Sequence, residues 1–172
     1  MLELKLYHDI FDRTLPPLEQ LEFQAERRPD AEIFHMLGLA FFQKLQFSQA
    51  VTQFSRAIEL DSKAWEPRLH RGLALVIMGQ FEPALADFSA VLDSQPEQFE
   101  ALYNRGRVYS RLRDDARAIA DLEAAVRLDP REARRLRVPE VLRVLRRRQS
   151  GQRATVLDHL LNWIDRLRSS MF

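Results

Sequence analysis

Cysteine is absent from the 172 residues, which excludes disulfides, thiolate zinc sites and thiol nucleophiles. Glycine is scarce, with five residues at positions 38, 72, 79, 106 and 151. None of them builds a phosphate-cradling loop or a nucleophile elbow, and no His-Glu metal motif accompanies them. Uncharged apolar runs approaching the ~20 residues that span a bilayer are also missing. The opening stretch MLELKLYHDI breaks its apolar positions with Glu3, Lys5 and Asp9, so it lacks the apolar centre of a signal peptide. These absences point to a soluble, cytoplasmic chain with no cofactor.

Charge of one sign is lacking only in the sum. The formal net charge is +1, yet residues 1 to 130 carry 15 Lys/Arg against 21 Asp/Glu, and residues 131 to 172 carry 11 against 4. Nine arginines and two glutamates fall within 131 to 153, a segment able to meet phosphates or an acidic protein. Val138, Val141, Leu142 and Leu145 alternate with those arginines at helical spacing, however. The solvated face of a capping helix accounts for them, and nucleic acid is the less favoured partner.

What is present is a period. Gly38, Gly72 and Gly106 are 34 residues apart, and other columns fall into the same register. Three residues beyond each glycine stands Phe41, Leu75 or Tyr109; twelve beyond, Ala50, Ala84 or Ala118. Sixteen beyond stands Phe54, Phe88 or Leu122, and nineteen beyond, Ala57, Val91 or Ala125. Large and small residues at helical spacing over two short segments suit an antiparallel helix pair, with the small residues allowing close approach. Gly72 and Ala84 are the expected contact within the middle pair. Pro83 fits the first turn of a second helix, and Asp61 or Ser62, Ser94 or Gln95, and Asp129 are candidate caps.

These columns resemble the tetratricopeptide repeat, with copies at 31–64, 65–98 and 99–132. Leu37 supplies the family's Leu-Gly pair once, and Arg71 and Arg105 replace that leucine later. Ser62 stands where Pro96 and Pro130 close the other copies, and Arg68 where the family prefers an aromatic. The resemblance implies an all-α, right-handed superhelical solenoid of antiparallel helix pairs, whose first helices line a concave groove for a peptide or helix of a partner protein. The columns that would form this wall include His35, Leu39, Phe42, Leu69, Leu73, Val76, Tyr103, Asn104 and Arg107. The family's carboxylate clamp has no counterpart at His35, Leu39, His70, Glu100 and Asn104, so an acidic chaperone tail is a poor fit.

A stacked array needs caps. Residues 1–30 contain an N-terminal segment and a helix over 15–28, entered through Pro16 and Pro17, with Leu18, Leu21 and Ala25 on one face. Residues 133–150 read as one Arg-rich capping helix, because Pro139 and Glu140 occupy the Leu-Gly columns of a failed fourth copy. Residues 151–172 follow Ser150-Gly151 as an amphipathic helix, in which Leu157, Leu160, Ile164 and Leu167 form a seam widened by Leu161. That seam docks on its own solenoid, forms a homodimer contact or, least favoured because Asp158 and Asp165 oppose few arginines, lies on a membrane surface.

The four histidines offer no metal-ligand spacing, so no metal is expected. His35 and His70 lie on first helices of adjacent copies and can approach each other, although solvated rings rather than a site are the expectation, and Asp114-Asp115 reads as a cap. No catalytic constellation emerges, and the chain reads as a non-catalytic protein-interaction scaffold or adaptor. A small secretion-type chaperone holding a partner segment is the alternative, and a nucleic-acid or acidic-partner binder through 131–153 the next. The groove is filled by a partner or by the chain's own terminal segments.

Overall fold

The computed structural model describes residues 8–150, which are helical with no strand among them. Ten helices follow in order: α1 His8–Phe11, α2 Leu18–Arg27, α3 Ala31–Gln43, α4 Phe47–Leu60, α5 Glu66–Ile77, α6 Phe81–Ser94, α7 Phe99–Arg111, α8 Asp115–Leu128, α9 Pro130–Arg135 and α10 Val138–Gln149. Pairs α3/α4, α5/α6 and α7/α8 are the three repeats, each pair stacking on the next through α4 on α5 and α6 on α7. In addition α3 touches α5 and α5 touches α7, which sets the first helices in one inner row.

The period is written in packing. Phe54 and Phe88 are fully buried, and so are Ala50, Ala84, Ala118 and Leu122. Each repeating glycine faces the residue sixteen positions on rather than the alanine expected to meet it. A methyl group on Gly38 would lie 2.4 Å from the Phe54 ring, one on Gly72 2.7 Å from Phe88, and one on Gly106 2.9 Å from Leu122. A buried Phe54, Phe88 or Leu122 side chain packs against bare helix backbone, and that contact repays the roughly 1 kcal/mol that glycine costs a helix.

Each first helix ends in the same turn. Gln46 N–H donates to Phe41 O, Gln80 N–H to Leu75 O and Asp114 N–H to Tyr109 O, each at 2.9 Å. These are six-to-one bonds across a left-handed residue. That residue is Leu45 (φ 61°), Gly79 (φ 75°) and Arg113 (φ 64°). Gly79, outside the period of the other glycines, thus belongs to a 34-residue column of its own.

Arg71 and Arg105, which depart from the family's leucine, form a ladder. Arg71 on α5 donates twice to Asp87 on α6, at 2.8 and 2.6 Å, and once to Ser55 of the preceding repeat at 2.9 Å. Arg105 repeats this with Asp121, 2.8 Å twice, and Ser89, 3.2 Å. Both carboxylates are buried. Each arginine therefore closes its own helix pair and ties it to the one before. In repeat 1 the matching columns hold Leu37 and Gln53. Glu123, in the column of Ser55 and Ser89, receives Arg146 of α10 at 2.7 Å, so the ladder ends on the cap.

The C-terminal cap is two helices, not one. Arg137 takes a left-handed conformation (φ 59°) between α9 and α10, and Pro139 enters the first turn of α10. Val138, Leu142 and Leu145 are buried while Val141 is 36% exposed, so Val141 leaves the expected stripe. Arg148 pairs with Asp115 and fastens α10 to the start of α8. At the other end α2 covers α3 with Leu21, which is fully buried.

Asp30 caps α3, Asp114 caps α8 and Asp129 caps α9, each accepting backbone N–H groups. Asp61 instead accepts Lys63 N–H at the end of α4. Helices α5 and α7 start without a side-chain cap, so Ser62, Ser94 and Gln95 do not serve as predicted. Leu157, Leu160, Leu161, Ile164 and Leu167 lie outside the described residues. No described helix is long and apolar enough to cross a membrane.

Candidate functional site

The inner row carries every residue predicted to line a groove. His35, Leu39 and Phe42 are on α3, Leu69, Leu73 and Val76 on α5, and Tyr103, Asn104 and Arg107 on α7. Most of this apolar wall is covered, and seven of the nine residues are buried. Leu39 and Phe42 are at most 1% exposed, and Leu69, Leu73, Val76, Tyr103 and Asn104 are at most 8%. Only His35 and Arg107 are partly exposed.

Part of the cover comes from the chain itself. The four-residue α1 packs on α3, burying Ile10 and setting the Phe11 ring 5.8 Å from the Phe42 ring. Phe42 in turn meets Phe47 edge-on at 5.1 Å. The side-chain amide of Gln43 donates to two backbone carbonyls, Ile10 O at 2.7 Å and Arg13 O at 2.8 Å. Both N–H groups of one amide are thereby spent on a crossing polypeptide backbone.

Beyond Gln43 the row continues with two histidines that are not solvated as expected. His35 Nε2 and His70 Nδ1 are 2.8 Å apart. The rings stack at 5.0 Å and each lies 5.8 Å from Phe54. Burial, reinforced by the charge of Arg13, lowers His35 to about 4. His70 is lowered to about 3 by burial, then by His35 and Arg13. At neutral pH both rings are uncharged, one N–H donating to the bare nitrogen of the other. A cavity of ≈ 400 Å³ opens beside them, lined among others by Arg13, Asp30, Glu32, His35, Asp61 and Glu66.

At the far end of the row, Tyr103 stacks on Phe99 at 6.0 Å and the Arg107 guanidinium lies 5.5 Å from the Tyr103 ring. Asn104 Nδ2 donates to Glu100 O at 2.8 Å, while its buried Oδ1 accepts nothing from the described residues. The row thus has an apolar floor, a backbone-reading amide at one end, and a cation over an aromatic ring at the other.

The described residues contain no group of three metal-ligating side chains. On the Arg-rich cap, Arg135 pairs with Glu132, Arg146 with Glu123 and Arg148 with Asp115, so part of that charge is spent within the chain.

Sequence reading allows the N-terminal segment to fill the groove but does not place α1, since a four-residue contact made across about thirty residues leaves no periodic trace. It also missed the arginine ladder, although a signal was available: the columns holding Leu37 and Gln53 switch together to Arg71 and Asp87, and again to Arg105 and Asp121.

No curated protein matches the chain at a significant level. Among solved structures, the first tetratricopeptide domain of RPAP3 (Spaghetti), bound to an HSP90 peptide, superposes with a TM-score of 0.66 at 17% identity, covering 70% of this chain and 94% of that one. YrrB, a tetratricopeptide protein with an unusual peptide-binding site, gives 0.65 at 27% identity over 72% of this chain and 64% of its own. MamA from Desulfovibrio magneticus RS-1, residues 41 to the end, gives 0.71 at 24% identity over 88% and 84%. Two tetratricopeptide repeat family models match residues 31–63 and 69–133. With three helix pairs at a 34-residue period and these matches, the chain belongs to the tetratricopeptide repeat family.

Proposed function

We propose that this protein is a non-catalytic interaction scaffold that holds a peptide or helix of a partner protein against the inner row formed by α3, α5 and α7. The observation that carries this reading is the seating of polypeptide on that row: Gln43 holds the carbonyls of Ile10 and Arg13 while apolar side chains fill the floor beneath. A side-chain amide that holds backbone carbonyls is indifferent to the bound sequence, and the apolar anchors beside it supply selectivity. The peptide bound to the RPAP3 domain and the peptide-binding site of YrrB support the same use of a shared fold. Arg107 above Tyr103 would then contribute a cation at the α7 end.

A random-peptide library displayed on phage and selected on the immobilised full chain tests this. Enriched peptides should bind the Arg107→Ala variant about tenfold more weakly, a loss of about 1.4 kcal/mol. They should bind the Glu82→Ala variant, altered on the exposed surface of α6, as they bind wild type. Failure to enrich any peptide, or equal binding by Arg107→Ala, refutes the reading.

A further inference from the structure

Helix α1 is attached in an unusual way. It spans four residues, too few to be stable alone, and residues 12–17 leading to α2 are not helical and end in Pro16-Pro17. What holds the segment is the inner row. Ile10 is buried, Phe11 packs on Phe42, and Gln43 takes two carbonyls three residues apart. Arg13 lines the cavity together with the acidic residues Asp30, Glu32, Asp61 and Glu66. The backbone contacts are blind to sequence, whereas the apolar seats and the acidic cavity are selective. Together they describe how a groove receives a peptide.

Resting on the function proposed above, we propose that residues 10–13 are an intramolecular pseudo-ligand that closes the repeat-1 end of the groove. The partner carries the same signature, an aliphatic residue followed by an aromatic one and, two residues later, a base. A tethered ligand competes at an effective concentration in the millimolar range, so the resting chain binds such a peptide at an affinity reduced by the fraction of time the seat is open. The tether that keeps the segment close also lets it leave without disturbing α2.

The test uses the full chain and a fluorescein-labelled peptide of residues 8–14, HDIFDRT, read by anisotropy. Substituting Ile10→Asp with Phe11→Ser removes both anchors, and Phe11→Ser alone serves if the double change lowers helicity. The released variant should bind the peptide at least about tenfold more tightly than wild type. Adding Gln43→Ala to it should weaken that binding about tenfold, and a scrambled peptide should not bind. A released variant that keeps its helicity yet binds no better than wild type overturns the inference. If library-selected peptides still bind wild type in that case, the groove reading stands and only the pseudo-ligand falls. A wild-type dimer that becomes monomeric on Phe11→Ser also overturns it, because the segment would then be exchanged between copies.

Discussion

Removing the Arg71 side chain is the sharpest perturbation of the array, because its partner cannot follow it into water. The Asp87 side chain is 4% exposed against 23% for Arg71. Arg71→Leu, the residue repeat 1 carries at Leu37, strands a buried carboxylate and frees Ser55 of its donor. Breaking a buried pair from one side costs about 3–5 kcal/mol, a large part of the 5–15 kcal/mol that domains possess. At roughly 2–4 °C per kcal/mol for this chain length, the midpoint falls by roughly 6–20 °C. Asp87→Ala leaves a guanidinium already in reach of solvent and costs about 1–2 kcal/mol. The double variant, with neither charge, should cost only about 2 kcal/mol, giving a coupling near 3 kcal/mol. Urea unfolding of the four proteins, followed by circular dichroism, measures the cycle. Additive single changes, with coupling below about 0.5 kcal/mol, or an Arg71→Leu cost smaller than that of Asp87→Ala, would refute the reasoning.

Three further outcomes follow from the packing, the turn and the histidines. Alanine at the repeating glycines should destabilise in the order Gly38, Gly72, Gly106, following the 2.4, 2.7 and 2.9 Å approaches. Overpacking of about 1–3 kcal/mol outweighs the helix gain of about 1 kcal/mol. The reverse change, Leu45→Gly, should stabilise by roughly 0.5–1 kcal/mol by relieving a left-handed leucine; equal midpoints for wild type and variant would contradict this. For the histidine pair, the folded values of about 4 and about 3 lie below the unfolded value near 6.5. The unfolded chain therefore binds more protons, and stability conferred above pH 6.5 is lost as pH falls through about 4. The slope is at most about 1.4 kcal/mol per pH unit for each ring. Denaturant midpoints from pH 7.5 to 4.5 should fall less steeply in His70→Phe than in wild type, and an unchanged slope would rule the pair out as the source.

The repeats were legible because helix pairs stack by the same small and large residues at each step, so the packing leaves a 34-residue period in Gly38, Gly72 and Gly106 and their companion columns. Partners within the period were less so. Spacing placed Gly72 and Ala84 on one interface, but the side chain that meets Gly72 is Phe88. Arg71 read as a departure from the family because a single column says nothing of its partner sixteen residues on. The site suffered most. Helical spacing placed Leu39, Leu73 and Val76 on the correct row, yet exposure depends on what crosses that row. The crossing segment, Ile10 to Arg13, is held by one glutamine, the buried Ile10 and one ring contact, with no pattern to betray them. Arg137, a non-glycine residue in a left-handed conformation, likewise split the expected cap helix where no glycine marked a break.

The central claim, that polypeptide is recognised along the first helices, is tested most directly by amide chemical-shift mapping. An isotope-labelled full chain would be titrated with a peptide selected on it. The account predicts shifts concentrated on α3, α5 and α7 and in residues 10–13 as they are displaced. Shifts confined to α4, α6 and α8, or to the Arg-rich α10, would contradict it.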